Sequence, residues 1–364
     1  MSSEPGPFFD EPIAAAPKKR RWIGYTLLGV FVAGLITATY LPAPYVIESP
    51  GPAFNVLGSD QKEPIISVSG AKSYPTSGSL DLLTVNILGS PGSTPTWLQI
   101  FSAWLDPSSV VEPLDAIYPP NQSATQVDRQ ATLMFQDSQQ QATAASLKAL
   151  GYQYSYQVYV DSIPDGGAAN GILKPGDTIS TVNGKSVNGV AALRAAVQAA
   201  KGAPVTLVGK RAGKPLSVII KPKLVSGAYK IGAYVGTKFV FPIDVKLRLA
   251  DVGGPSGGTM FALGIYDTLT PGSLTGGQLI AGTGTIDESG LVGPIGGIRQ
   301  KLYGAQRAGA SWFLAPAENC SEVVGHVPAG IQVVSIKTFS DALTAVKQIA
   351  AKHSIAGLPT CKAK

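Results

Sequence analysis

The sequence predicts an α+β fold, with globular parts that each mix strands and helices behind one N-terminal apolar helix. Three observations point there. Period-two runs such as Val245, Leu247 and Leu249, alternating with Lys246 and Arg248, occur beside helix-period runs such as Trp97, Ile100, Phe101 and Trp104. Glycine and proline are frequent, 42 and 28 in 364 residues, and cut the chain into short elements. One uncharged run, Trp22 to Ile47, lies near the start.

The 364 residues suffice for roughly two domains and a few additions. Charged residues make up 14% of the chain, below the roughly 25% usual in soluble domains. The formal net charge of +6 is not gathered into aromatic-interleaved basic patches, and no zinc-finger spacing occurs, so nucleic acid is excluded as a partner. Two cysteines, Cys320 and Cys361, form no CxxC pair. No metal or other cofactor is therefore expected. Whether these cysteines pair is left open, because spacing does not settle it.

Residues 1–21 read as a polar, Pro-rich cytoplasmic tail ending in Lys18-Lys19-Arg20-Arg21. Residues 22–41 read as a transmembrane helix, since about 20 apolar residues at ~1.5 Å each span a bilayer. Pro42 and Pro44 end it. Trp22, Tyr25 and Tyr40 stand near its ends, where aromatics favour the membrane interface. The preceding basic residues keep the N-terminus in the cytoplasm, which places 45–364 outside the cell membrane. A cleaved signal peptide competes with this reading, but the run exceeds the usual core of about 7–15 residues.

Residues 45–150 form the N-terminal part of the extracytoplasmic region. Pro50-Gly51-Pro52 reads as a turn, and Pro64 to Ser69 and Leu80 to Leu88 as strands. The aromatics of Trp97 to Leu105 suit core or membrane-surface packing. Gln126 to Leu150 is a helical stretch ended by Gly151. Asn121-Gln122-Ser123 matches a glycosylation sequon and is read as chance.

Residues 151–223 carry Asp165-Gly166-Gly167-Ala168-Ala169, then Gly171-Ile172-Leu173-Lys174-Pro175-Gly176-Asp177 and Val182-Asn183-Gly184-Lys185. Pro175-Gly176-Asp177 is a turn delivering an apolar strand, and Asn183-Gly184 suits a hairpin with positive φ. The stretch resembles a PDZ domain. The resemblance implies that an extended peptide adds to a sheet edge beside a helix carrying Leu193 and Val197. Leu150-Gly151-Tyr152 has the apolar-Gly-aromatic form of a carboxylate-binding loop, and equally that of a helix stop.

Residues 224–352 bring the chemistry. A strand through Val245 to Leu249 runs into Gly253-Gly254-Pro255-Ser256-Gly257-Gly258, and a helical pattern follows to Leu269. Ser256 thus lies at a helix N-terminus, where free backbone N–H groups can hold an oxyanion. Gln278 to Ile286 reads as a strand. Pro294-Ile295-Gly296-Gly297 precedes a helix with Lys301 in its first turns, and Ser340 reads as the cap of a last helix. Residues 353–364 are a C-terminal tail.

These motifs, with Gly284-Thr285-Ile286, Gly290-Leu291-Val292 and Ala308-Gly309-Ala310, resemble the proteolytic domain of Lon proteases over about residues 240–350. The resemblance implies Ser256 as nucleophile, Lys301 as its base and Thr283 as support for the dyad. The N–H groups of Ser256 and Gly257 would stabilise the oxyanion. A lysine base needs a proton affinity lowered from its free value of about 10.4 towards ~7–8, and apolar walls such as Ile295, Ile298 and Leu302 can supply that. Gly253 departs from the family, which carries Asp three residues before the serine. No G-x-x-x-x-G-K-S/T occurs, so the chain's own residues bind no ATP.

With the apolar helix and the PDZ stretch, the chain resembles membrane-anchored, PDZ-containing Lon-like serine proteases of bacteria. The expectation is a Lon-type proteolytic domain split by an inserted PDZ domain. It would be an ATP-independent Ser-Lys endopeptidase acting on accessible polypeptides, selected in part by the PDZ domain. The alternative is an inactive membrane-anchored peptide-binding scaffold. Polypeptides and the membrane are the expected partners, and a homo-oligomer is left open. His326, in Gly325-His326-Val327-Pro328, and His353 read as loop or tail residues. This disfavours a Ser-His-Asp triad.

Overall fold

A computed structural model describes residues 18–118, 123–187, 189–225, 227–250 and 252–362. The expected tail over 1–17 and Asn121-Gln122 of the sequon lie outside these residues, as do the side chains of the basic cluster 18–21. The chain divides into two compact units, 1–49 with 86–124 and 50–85 with 125–364.

In the first unit, the helix Lys18–Tyr40 carries the first part of the uncharged run, from Trp22 to Tyr40. Among the described residues, which leave out the side chains of 35 and 38, no helix is long and apolar enough to cross a membrane. The start of strand Tyr45–Asn55 pairs antiparallel with Val110–Pro113. Helix Trp97–Trp104 begins with a capping box, in which Thr96 and Gln99 each satisfy the other's backbone. Ala43, Ile47, Ile100 and Ala103 form the small buried core here.

Besides a buried cluster around Leu302 and Phe313, the second unit holds two cores. One belongs to a six-stranded antiparallel sheet in the order Lys214–Ile220, Val205–Arg211, Thr178–Val182, Ser155–Ser162, Tyr234–Val240, with the short strand Lys185–Ser186 paired to Thr178–Val182 off this path. Helix Val190–Ala199 packs Leu193 and Val197 into the same core as Val158, Val160, Ile179 and Leu207. Asn183 and Gly184 take φ of +48° and +78°, as a tight hairpin requires. The sheet does not stop at residue 223. Tyr234–Val240 is its outer strand, so the expected boundary cuts off the segment that pairs with Ser155–Ser162.

The other core surrounds parallel strands in the order Gln332–Ile336, Trp312–Pro316, Leu279–Gly282, Ser79–Leu88. It takes Ile66, Leu80, Leu82 and Phe135 from before the inserted sheet and Met260, Phe261, Leu263, Ile280 and Val346 from after it. Two distant stretches thus share one core, and the segment between them closes its own, as the split arrangement predicts.

Three local expectations change. Pro50-Gly51-Pro52 lies inside the strand Tyr45–Asn55 rather than in a turn. Proline's fixed φ tolerates extended backbone, and the bare Cα of Gly51 admits Thr84 close against it. The stretch Gln278 to Ile286 is two strands, Leu279–Gly282 and Thr285–Ile286, parted where Thr283 and Gly284 turn towards Ser256. The last helix, Phe339–Lys352, is capped by Thr338 with Asp341 rather than by Ser340.

Candidate active site

The strand Asp244–Leu247, paired with Ile66–Ser69, leads into residues 253–257, and the buried helix Gly258–Leu269 leaves them. The turn is held from outside by the long helix Ala124–Ala149. Gly254, at φ +80°, donates its N–H to Ala131 O at 2.9 Å, and Ser138 Oγ donates to Pro255 O at 3.0 Å. Two glycines are required by crowding. A Cβ on Gly257 collides with Leu82 Cδ1, and one on Gly258 sits 2.9 Å from Ser138 Oγ.

Strand Leu279–Gly282 ends at Thr283, whose N–H donates to Leu314 O at 3.1 Å. Its hydroxyl donates to Ser256 O at 3.0 Å, and Gly284 N–H donates to the same oxygen at 2.8 Å. Gly297, left-handed at φ +68°, turns the chain into helix Ile298–Arg307. Ile298, Leu302 and Ala305 are buried there with Leu83 and Phe313, and Ile295 packs against them. This places Lys301 inward, 2% exposed. Its Nζ donates to Ser256 Oγ at 2.7 Å and to Thr283 Oγ1 at 3.1 Å. The backbone N–H groups of Ser256 and Gly257 donate to no other described residue, whereas that of Gly258 is used by Pro255 O at 3.4 Å. The expected residues Ser256, Lys301, Thr283 and Gly257 therefore meet at one point from three elements.

Two features were not legible beforehand. Asn319, buried in the chain that follows strand Trp312–Pro316, accepts from Ile295 N–H at 2.9 Å and donates to Ile295 O at 2.8 Å. Cys320 beside it is disulfide-bonded to Cys361, with Cα atoms 4.9 Å apart. At Gly253, the expected departure from the motif, an added Cβ would lie 3.0 Å from Ala131 Cβ, a tight contact that a shift of a few tenths of an ångström relieves. An open cleft of about 660 Å³ adjoins it, lined by Asp128, Ala131, Phe135, Leu249 and Val252. Among the described residues no cluster of His, Cys, Asp or Glu is suited to a metal ion.

The inserted sheet presents a second site. A groove of about 550 Å³ runs between helix Val190–Ala199 and the segment Ala228 to Val235, with Leu193 and Val197 along one wall. Leu150, Gly151 and Tyr152 are not among the groove residues. Tyr152 N–H donates to Leu147 O and Gly151 takes φ +81°, so this triplet terminates the long helix. The N–H groups of Ile231, Gly232 and Ala233 sit at the groove and bond to no other described residue. Apolar-Gly-small before a strand was the signal, missed because it lies past residue 223.

Glu288, on the loop after Thr285–Ile286, reaches the groove helix. Its Oε1 lies 2.7 Å from where a Cβ on Gly189 would be, at the N-terminus of the groove helix. Burial pushes the Glu288 carboxyl up, reinforced by Asp287 and Asp137. Burial, with the Glu288 charge, pushes Tyr154 up to about 12. Neither histidine belongs to the dyad: His326 Nδ1 is 3.2 Å from Val324 O, and His353 ends the last helix at φ +48°.

Residues 250–350 match the Lon protease (S16) C-terminal proteolytic domain, and residues 135–208 match the PDZ domain. Lon protease 2 of Bacillus subtilis is 34% identical over 92 residues, which cover 25% of this chain and 16% of that protein. Lon protease 2 of Herpetosiphon aurantiacus is 35% identical over 108 residues, 28% of this chain and 13% of that protein. The chain thus spans only a small part of the length of these curated relatives. The crystal structure of the PDZ domain of the SdrC-like protein from Listeria monocytogenes is 25% identical, covering 21% of this chain and 85% of that one with a TM-score of 0.21. The chain therefore carries the proteolytic domain of a Lon-type serine peptidase together with a PDZ domain.

Proposed function

We propose that this chain is an ATP-independent endopeptidase working through a Ser256–Lys301 dyad. The observation that carries the reading is the 2.7 Å approach of a buried Lys301 Nζ to Ser256 Oγ. Buried amines give up their proton more readily than exposed ones. Neutral Lys301 takes the Ser256 hydroxyl proton as Oγ attacks the scissile carbonyl. The N–H groups of Ser256 and Gly257, which donate to no other described residue, receive the oxyanion. Lys301 then protonates the departing amine, and water, deprotonated by the same lysine, hydrolyses the acyl-enzyme. Thr283 holds the amine by its hydroxyl.

The PDZ domain selects substrates in this reading. Tyr234–Val240 is an outer strand beside the groove helix, so a peptide extends the sheet there, and the N–H groups of residues 231–233, which bond to no other described residue, suit its carboxylate. Substrates are flexible or already unfolded, because the chain's own residues supply no nucleotide-driven unfolding. The helix Lys18–Tyr40 anchors the protein in the cell membrane with the catalytic part outside. Its support is the uncharged run from Trp22 and the exposed apolar side chains along it.

The test uses the full chain in lipid vesicles with an unfolded protein substrate, with and without ATP. Ser256→Ala and Lys301→Ala should each lower cleavage by on the order of 10³-fold or more, and ATP should change nothing. Equal cleavage by all three proteins would remove the dyad. Peptide binding without cleavage by any of them favours the scaffold, for which the absent acid at Gly253 is the supporting feature.

A further inference from the structure

Helix Trp97–Trp104 has two apolar sides. Ile100 and Ala103 face the small core of the first unit. On the other side Phe101, Trp104 and Leu105 are 57%, 62% and 73% exposed, and Leu98 is exposed beside them. No charged residue occurs between Asp81 and Asp106, so this face has no charged rim of its own. The start of the helix is fastened to the end of Lys18–Tyr40. Trp97 N–H donates to Leu41 O at 3.2 Å, Ala43 N–H donates to Pro95 O at 2.8 Å, and Pro42 bridges Thr96.

From this we infer that the Leu98, Phe101, Trp104 and Leu105 face lies on the lipid bilayer, at the level of the headgroups and upper acyl chains. The inference rests on the anchored reading proposed above. A helix tied within two residues of a membrane span is held against the bilayer surface, and its apolar face meets lipid before it meets a partner. Tryptophan's apolar ring and polar N–H suit that boundary. Two-sided apolarity then has a physical reason, with one side closing the unit and the other seating it on the membrane.

The experiment places the full chain in phosphatidylcholine vesicles and first asks whether it floats with them. A chain that does not float overturns the anchored reading, and this inference falls with it. Floating chain is then compared, as the Trp22→Phe, Trp97→Phe, Trp312→Phe protein, in lipids brominated near the headgroup or deep in the acyl chain. Trp104 emission should be quenched at least about twofold by the shallow bromines and less by the deep ones. Unquenched, red-shifted Trp104 in floating vesicles overturns the membrane face while sparing the anchor. Unquenched Trp104 with concentration-dependent cross-linking through this face assigns it to a second copy instead, and also overturns the inference. Hydroxyl-radical labelling of the unmodified chain gives an independent reading. Phe101 and Trp104 should label about fivefold less in vesicles than the exposed Tyr234, and equal labelling overturns the inference.

Discussion

Asn319 grips both polar groups of Ile295, accepting from its N–H at 2.9 Å and donating to its carbonyl at 2.8 Å. This is the bond pattern of a paired strand, supplied by one side chain. Ile295 belongs to the turn that starts the lysine helix, whose N-cap Gly297 has no side chain to cap it. Asn319→Ala should cost about 1–2 kcal/mol of stability by leaving the half-buried polar groups of Ile295 unpaired. It should also lower kcat about tenfold with little change in KM, because Lys301 loses its support rather than the substrate its contacts. Thermal melts and steady-state kinetics on an unfolded protein substrate check both, and unchanged kcat would show that the turn holds itself.

Thr283 links the amine to the backbone oxygen of its own nucleophile. Thr283→Val keeps the shape and removes the hydroxyl. A hydrogen bond to a charged group is worth about 1.5–3 kcal/mol, so cleavage should fall roughly 10- to 100-fold. Thr283→Ser should recover most of that loss. Equal defects in Val and Ser would mean that the methyl group, not the hydroxyl, is what the site uses.

Gly253→Asp reinstates the acid of the family at this position. Ala131 Cβ stands 3.0 Å from the added Cβ, so overpacking should cost about 1–3 kcal/mol and bring no gain in cleavage. Ala131→Gly in the same protein should return part of the stability. Faster cleavage by Gly253→Asp alone would contradict the steric account.

The Arg211 guanidinium beside Asp177 holds that carboxyl below the usual range. Asp177 also accepts from Lys174 N–H at 2.8 Å. A lowered carboxyl stabilises the folded state fully above its unfolded value of about 3.9 and loses that contribution as pH falls through the folded one. Asp177→Asn should therefore lower stability near neutrality, and the gap to the parent should close as pH falls below ~4. Melting curves across pH in both proteins test the sign, and a gap that widens in acid would reverse it.

Much of the candidate site was legible because its spacing is local to short motifs. Ser256 follows its glycines, Lys301 follows its turn, and each sits at the start of a helix that periodicity reveals. Asn319 was not legible, since its partner Ile295 is reached only when two strands and a helix have packed. The groove was half legible. Leu193 and Val197 lie in a helix with its own period, whereas Ile231 to Ala233 belong to a strand that joins the sheet from beyond an apparent boundary. Cysteine pairing was undecidable because Cys320 and Cys361 are separated by 41 positions, and only the fold brings them together.

Leu80 lies beside Ile280, and Phe135 meets Phe261 edge to face, across the whole inserted sheet. On a ribosome this fixes an order of events. The sheet of residues 155–240 has all its strand pairings within itself and can close while the chain is still growing. The strands and long helix made before it must wait, unpaired on one side, for partners not yet synthesised. Long-range pairing of this kind is slow, and its exposed surfaces invite aggregation. The wait has a protective side, because Ser256 emerges before Lys301 and before the last parallel strands. In the proposed mechanism no nascent fragment can cut its neighbours, and cleavage begins only when the last strands have docked.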